Sequence, residues 1–331
     1  MSRHTWIRVT ALALALPAGM AAQATSFDLR AIQAYRNWTG NADPETAPQG
    51  YVDRFNNASL TTGATYTGGL TTPASLYTVT GGSAPAEVTP GDLTTPSPGS
   101  TPVGLVRFDQ TNAAASALVQ INGTAYSNQA YRLNLTNPTQ GAFFSSSQTQ
   151  FMGEGYFGFI APAADERYGV RFSDATGVAG SSFDDIITLD VVRMTNGAPG
   201  VQIRRLSGTS TNLATSGVQT VAVSSFLSGS ATLADVSLID LRLFWEPNGS
   251  GTNVVTGRVD LIQVQSGVPT GSVGSTTLSS TFDIFHGESF TNFQVGASWS
   301  PLAAVPEPAS WAMMLAGALA VACRARRDRA A

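Results

Sequence analysis

The chain has 331 residues, 43% of them hydrophobic and only 12% charged, which is too apolar for a disordered chain and fits one large β domain or two ordinary ones. All 18 basic residues are Arg, the net charge is −4, and nucleic-acid binding is excluded as a main role because it needs a net basic footprint. The single cysteine, Cys323, excludes an intrachain disulfide, a thiolate zinc site and a CxxC redox pair.

Residues 1–24 have the three parts of a secretory signal peptide: Arg3 and Arg8, then the apolar run from Val9 to Leu16, then Ala22-Gln23-Ala24. Small residues at Ala22 and Ala24 predict cleavage after Ala24, leaving Thr25 as the mature N-terminus. The apolar run falls well short of the roughly 20 residues a membrane span needs.

The part from 25 to 102 is expected to be irregular and to pack on the body that follows. Phe27, Leu29, Ile32 and Tyr35 come near helical spacing, so 26–38 reads as a short helix or an irregular lead-in strand. From 61 to 100, 27 of 40 residues are Thr, Ser, Gly or Pro, so this stretch reads as a long loop unless it packs on something else. Leu70, Leu76, Tyr77 and Val79 could pin it to the body.

From Val103 to Ala304 the pattern changes to period two. Strands are predicted at 103–108, 117–121, 131–135, 155–161, 168–173, 186–194, 201–206, 220–226, 236–245, 254–265, 282–285 and 290–299. Each is bounded by Gly, Pro, Asn, Asp or Ser, and no long amphipathic helix interrupts them. The expected fold is therefore all-β, an antiparallel two-sheet sandwich of jelly-roll type. Within 236–245, Ile239, Leu241, Leu243 and Trp245 should form the core face, with Val236, Leu238 and Asp240 on the other. The turn signal at 246–251 then predicts a hairpin to 254–265, where Val255, Gly257, Val259 and Leu261 oppose Arg258, Asp260 and Ile262. Residues 153–265 weakly resemble the concanavalin-type sandwiches of lectins and laminin-G-like domains, a likeness of architecture that implies no function.

Candidate chemistry in the body is sparse. His286 is its one histidine, with no G-x-S-x-G elbow to make it part of a triad and no H-E-x-x-H metal helix. Glu154, Asp165, Glu166, Glu246 and Glu288 are available to a glycoside hydrolase, but no strand carries the E-x-D-x-x-E alternation of jelly-roll glucanases, and acids in loop contexts are usually solvated. Asp174, Asp184 and Asp185 bring three carboxylates into one loop region, where calcium is the cation to consider; their spacing is that of neither an EF-hand nor an RTX repeat, and they read first as turn residues. No other cofactor is expected. Tyr156, Phe157, Phe159, Tyr168, Phe172, Trp245 and Trp299 could in part stack on sugars, although sandwich cores also need large rings.

The C-terminal segment, 305–331, reverses the polarity of the first. Val305-Pro306-Glu307-Pro308 precedes an uncharged stretch from Ala309 to Cys323, then Arg324, Arg326, Arg327 and Arg329. The Arg cluster resists crossing and holds the apolar stretch in the inner membrane from the cytoplasmic side. As a helix that stretch rises only about 22 Å, short of the hydrocarbon thickness, so it reads as a transient transmembrane intermediate. Cys323 reads as a small residue of that helix rather than a lipidation site. Setting both ends aside leaves 12 basic and 20 acidic residues, a body near −8 that stays off anionic surfaces.

The Val-Pro-Glu-Pro tetrapeptide, the short apolar helix and the terminal Arg cluster together resemble the PEP-CTERM protein-sorting signal of Gram-negative bacteria. The resemblance covers 305–331 only. It implies recognition of Pro306, Glu307 and Pro308 by exosortase, a membrane-embedded cysteine-dependent processing enzyme, with the four Arg as retention signal. Two prolines suit this role physically, since they hold an extended segment just outside the membrane. It further implies export to the outer envelope surface or the extracellular, biofilm-type matrix. There the sandwich is expected to be structural, adhesive or polysaccharide-binding rather than enzymatic, with a secreted polysaccharide hydrolase as the alternative.

Overall fold

A computed structural model of the chain describes residues 26–36, 49–55, 65–66, 77–80, 86–94, 102–110, 119–133, 136–137, 141–142, 151–173, 182–209, 212–247, 253–282 and 292–299. In chain order the strands are β1 (Ser26–Arg36), β2 (Gln49–Asp53), β3 (Thr65–Tyr66), β4 (Tyr77–Thr80), β5 (Ala86–Thr94), β6 (Pro102–Asp109), β7 (Val119–Ile121), β8 (Thr124–Leu133), β9 (Thr136–Asn137) and β10 (Gly141–Ala142). They continue as β11 (Phe151–Gly158), β12 (Arg167–Ser173), β13 (Ser182–Arg193), β14 (Pro199–Thr209), β15 (Asn212–Ala222), β16 (Leu238–Pro247), β17 (Asn253–Gln265), β18 (Val268–Phe282) and β19 (Asn292–Trp299). The only helical turns among the described residues are two 3₁₀ turns, Val223–Phe226 and Leu233–Asp235.

Two large sheets make the sandwich. The first runs β18-β17-β16-β11-β1-β2-β3, with β6 pairing β1 and β5 pairing β6; the second runs β19-β12-β13-β14-β15-β7-β8-β4. Period two then divides each strand into an inner and an outer face. Ile239, Leu241, Leu243 and Trp245 of β16 and Val255, Val259 and Leu261 of β17 point inward, the faces expected for the hairpin. They meet Tyr168, Val170 and Phe172 of β12, Ile187, Leu189 and Val191 of β13 and Phe293, Val295 and Trp299 of β19. Phe27 of β1 stacks on both Tyr168 and Trp299, at centroid distances of 4.6 and 5.9 Å.

The inner face of the first sheet carries glycines where the second carries large side chains. A Cβ on Gly153 would fall against the ring of Phe293, and one on Gly257 would lie 3.0 Å from Leu189 Cδ1. Gly153→Ala is therefore expected to cost about 1–3 kcal/mol through overpacking. Urea denaturation of the mature protein checks this, with Phe293→Leu in the same background recovering part of the loss. An unchanged midpoint for the single variant would mean that the two sheets do not interlock there.

Several elements differ from the sequence expectation. Residues 26–38, read as a short helix or an irregular lead-in strand, contain a strand, but a regular one of 11 residues: β1 pairs with β11 from Leu29 to Arg36 and so sits inside the first sheet. Within 61–100, read as a long loop, lie β3, β4 and β5, and β4 joins the second sheet through β8. The strand expected over 220–226 ends at Ala222 and gives way to a 3₁₀ turn. β18 was not anticipated at all, because its Thr, Ser and Gly residues show no apolar alternation; it is nevertheless an antiparallel partner of β17 along its length. The turn joining them is Ser266-Gly267, both with positive φ (52° and 78°), as a two-residue type I′ hairpin requires. Asn122-Gly123, with φ of 50° and 79°, does the same between β7 and β8.

Candidate functional site

On the outer face of the first sheet, four adjacent strands bring polar side chains into one cluster. The register sets Gln33 of β1 beside Glu154 of β11, Glu154 beside Arg242 of β16, and Arg242 beside Arg258 of β17. One pair further along, Tyr156, Asp240 and Asp260 stand in line. Opposite charges face each other directly at Glu154 and Arg242, whereas the like pairs Arg242/Arg258 and Asp240/Asp260 repel, so across the β16–β17 hairpin the favourable contact runs diagonally from Arg242 to Asp260. Arg242 is the hub: its Nε donates to Glu154 Oε1 at 2.6 Å, and its Nη2 donates to Asp240 Oδ2 and lies 3.1 Å from Asp260 Oδ2. Tyr35 donates its hydroxyl proton toward Gln33 Oε1 at 2.9 Å and lies 3.3 Å from Glu154 Oε2. The cation of Arg258 sits 5.7 Å from the centroid of the Phe244 ring.

This cluster faces away from the core, yet two of its carboxylates are buried, Asp240 at 0% and Glu154 at 2% exposure, while Arg242 and Asp260 are half-buried. Burial, and then the repulsion of Glu154, pushes the Asp240 carboxyl well above the usual carboxylate range. Burial opposes the charge of Arg242, but Asp240 and Glu154 beside it hold the guanidinium firmly protonated. Desolvation followed by the Glu154 charge keeps Tyr35 a neutral donor. Raised carboxyls of this kind also mark acid–base sites. Here, however, Glu154 and Asp240 grip the same guanidinium and neither offers exposed surface to a substrate.

Sequence reasoning treated Glu154 as a solvated acid and Asp240 and Asp260 merely as residues of a polar face. The structure corrects this by burying Glu154 and joining all three carboxylates through Arg242. The available signal was the alternation of Asp240 and Arg242 facing Arg258 and Asp260 across a recognised hairpin, which demands diagonal ion pairs. Among the other carboxylates, Asp165 is exposed, while Glu166 is 7% exposed and accepts from the Ala163 N–H at 2.9 Å, closing a turn. Glu246 lies in β16 with its side chain outside the described residues, as do His286 and Glu288 entirely. Asp174 also lies outside them. Asp184 and Asp185 fall in β13, at a bulge between Phe183 and Ile186 rather than in a loop, with their side chains outside the description. Of the aromatic candidates, Phe157, Tyr168, Phe172, Trp245 and Trp299 are core residues, and Tyr156 and Phe159 are half-buried.

The remaining candidates belong to the two ends. The cleavage residues Ala22 and Ala24, the tetrapeptide Val305 to Pro308 and the Arg cluster lie outside the described residues. So does the expected C-terminal helix, and among the described residues no helix is long and apolar enough to cross a membrane. The C-terminal sequence itself decides the matter. Residues 304–327 match the family model of the PEP-CTERM protein-sorting motif. The match takes in Val305-Pro306-Glu307-Pro308 with Arg324, Arg326 and Arg327, and stops short of Arg329. No curated protein and no solved structure matches the chain. The chain therefore carries a PEP-CTERM motif, which implies export, recognition by exosortase and sorting toward the cell envelope.

Proposed function

We propose that the β-sandwich is a structural or adhesive component of the outer envelope or extracellular matrix, delivered there by its PEP-CTERM tail and in contact with matrix polysaccharide, and that it is not an enzyme. The observation that supports the non-enzymatic part of this reading is where the candidate rings and acids among the described residues lie. Five of the seven aromatic candidates are core residues, and the buried carboxylates Glu154 and Asp240 are bound to Arg242. A hydrolytic pair instead flanks its substrate, with carboxyl groups about 5–9.5 Å apart and room between them for sugar or water. A low-charge, acidic body near −8 also suits a protein that must stay soluble during export.

The test uses mature protein recovered from its native host and added back to matrix from a strain lacking it. Co-sedimentation with the matrix, with no new reducing ends, is the expected result. Release of reducing ends over time would replace this reading with the hydrolase, and protein left wholly in the supernatant would remove the matrix role.

A further inference from the structure

The second sheet closes on itself. β8 pairs β19, which pairs β12, and the chain of pairings continues through β13, β14 and β15 to β7, which returns to β8. The last joint is the parallel bridge Leu213↔Ile121, reinforced by the Asn122 N–H donating to Leu213 O at 2.8 Å and the Thr215 N–H donating to Asn122 Oδ1 at 3.1 Å. One face of these strands packs on the first sheet, so alternation turns the other face toward the inside of the ring. Ile121, Tyr126, Ile186, Leu206 and Leu213 form a separate apolar cluster there.

Beside that cluster, the same inward face carries Arg167, Arg171 and Arg204 around a single carboxylate, Asp190. Asp190 Oδ2 lies 3.6 Å from Arg204 Nη2 and 3.9 Å from Arg167 Nη1, within ion-pair range but without a hydrogen bond. Arg204 is 4% exposed, and its Nε donates to Thr188 Oγ1 at 3.3 Å. Arg171 Nη2 donates to Asn128 Oδ1 at 3.1 Å. The Arg167 guanidinium sits 5.5 Å from the centroid of the Tyr126 ring, while its Nε and Nη1 are buried with no hydrogen-bond partner.

Among the described residues, three guanidiniums against one carboxylate leave an excess of two positive charges in a largely water-excluded space, where an unpaired charge is costly. Burial, with Arg167 adding repulsion, lowers Arg204 to about 10, and burial likewise lowers Arg171. Arginine forks match the oxygens of carboxylates and phosphates, and barrel mouths are common places for small ligands. We propose that Arg167, Arg171 and Arg204 form a binding site for a small oxyanion, a carboxylate or phosphate-type group, inside the closed ring of the second sheet. The burial of Arg204 limits the ligand to a small ion or to one acidic group carried on a larger molecule.

The test is thermal unfolding of the mature protein in phosphate, acetate or chloride at matched ionic strength, with calorimetric titration of the same anions. Saturable stabilisation by phosphate or by acetate, raising the melting temperature by about 5 °C, is expected for the wild type. The two arms separate a tetrahedral oxyanion from a carboxylate. Arg171→Met and Arg204→Met should lose this response while melting in chloride no lower than the wild type, because each removes surplus charge; that second readout separates a binding role from a structural one. Should neither variant fold, Asp190→Asn serves instead: removing the competing carboxylate should tighten anion binding by about tenfold. Identical wild-type melting in all three salts, or a full anion response in Arg204→Met, would overturn the proposal.

Discussion

Replacing Pro306, Glu307 and Pro308 together by alanine leaves the C-terminal tail on the mature protein, whereas the wild type loses it. The expectation follows from the match of residues 304–327 to the sorting motif. Proline fixes its own φ and disfavours helix at the residue before it, so Pro306 and Pro308 should favour an extended segment, the form in which a processing enzyme takes up a chain. Alanine removes both restraints and favours helix, so the segment can continue the apolar stretch and leave the recognition site. The effect should be all-or-none in an intact mass measured from the native host: wild type ending near Val305, variant retaining Ala309 to Ala331. Replacing Arg324, Arg326, Arg327 and Arg329 by serine should fail differently. It removes the charge that holds the tail at the cytoplasmic face, so unprocessed protein should appear beyond the inner membrane. Intact tails in both wild type and variant would remove the processing step from this account.

Arg242→Met should destabilise the sandwich strongly. The substitution keeps much of the side chain's volume but strips the cation from Glu154 and Asp240, which are 2% and 0% exposed. Removing one partner of a buried ion pair typically costs about 3–5 kcal/mol because the remaining charge is uncompensated. The sign of the pH dependence is fixed by Asp240, whose folded pKa lies above the unfolded value of 3.8. The stability it contributes is fully present below that unfolded value and is lost as pH rises through the higher folded one. Without Arg242 the folded value rises further, so the loss should be greatest near neutrality and should shrink as the pH falls and Asp240 takes up its proton. Asp240→Asn cannot ionise and should recover part of the loss at about pH 7 when combined with Arg242→Met. Guanidinium denaturation of the single and double variants at neutral and acidic pH checks both points. A loss equal at all pH values would show that Arg242 stabilises through packing of its stem alone.

Much of this protein was legible in its sequence where the signal is local. The sorting tail can be read because it is recognised as a linear segment, through two prolines, an apolar run and a charge cluster at fixed spacing. The core face of β16 can be read because Ile239, Leu241, Leu243 and Trp245 alternate with Asp240, Arg242 and Phe244, and a strand's geometry converts that alternation directly into two faces. The Asn122-Gly123 turn was equally available, since both residues tolerate the positive φ a two-residue hairpin needs.

The rest was decided only in three dimensions, because a strand's partners come from far along the chain. β1 meets β11 some 120 residues away, and nothing near Phe27 encodes that meeting, so its apolar spacing was equally compatible with a helix. β18 has almost no apolar pattern of its own and is held by the backbone ladder offered by β17. Glu154, Asp240 and Asp260 each look like ordinary surface acids in sequence; they become one cluster around Arg242, with Glu154 and Asp240 buried, only when β11, β16 and β17 lie side by side in one register. Arg167, Arg171 and Arg204 likewise gather around Asp190 only because β12, β13 and β14 lie side by side in one register. Sequence by itself determined the β alternation and the address of this protein, since both are written in neighbouring residues. Which charges are buried together was left to sheet order and closure, because burial and electrostatic coupling depend on distances between strands that the linear chain does not contain.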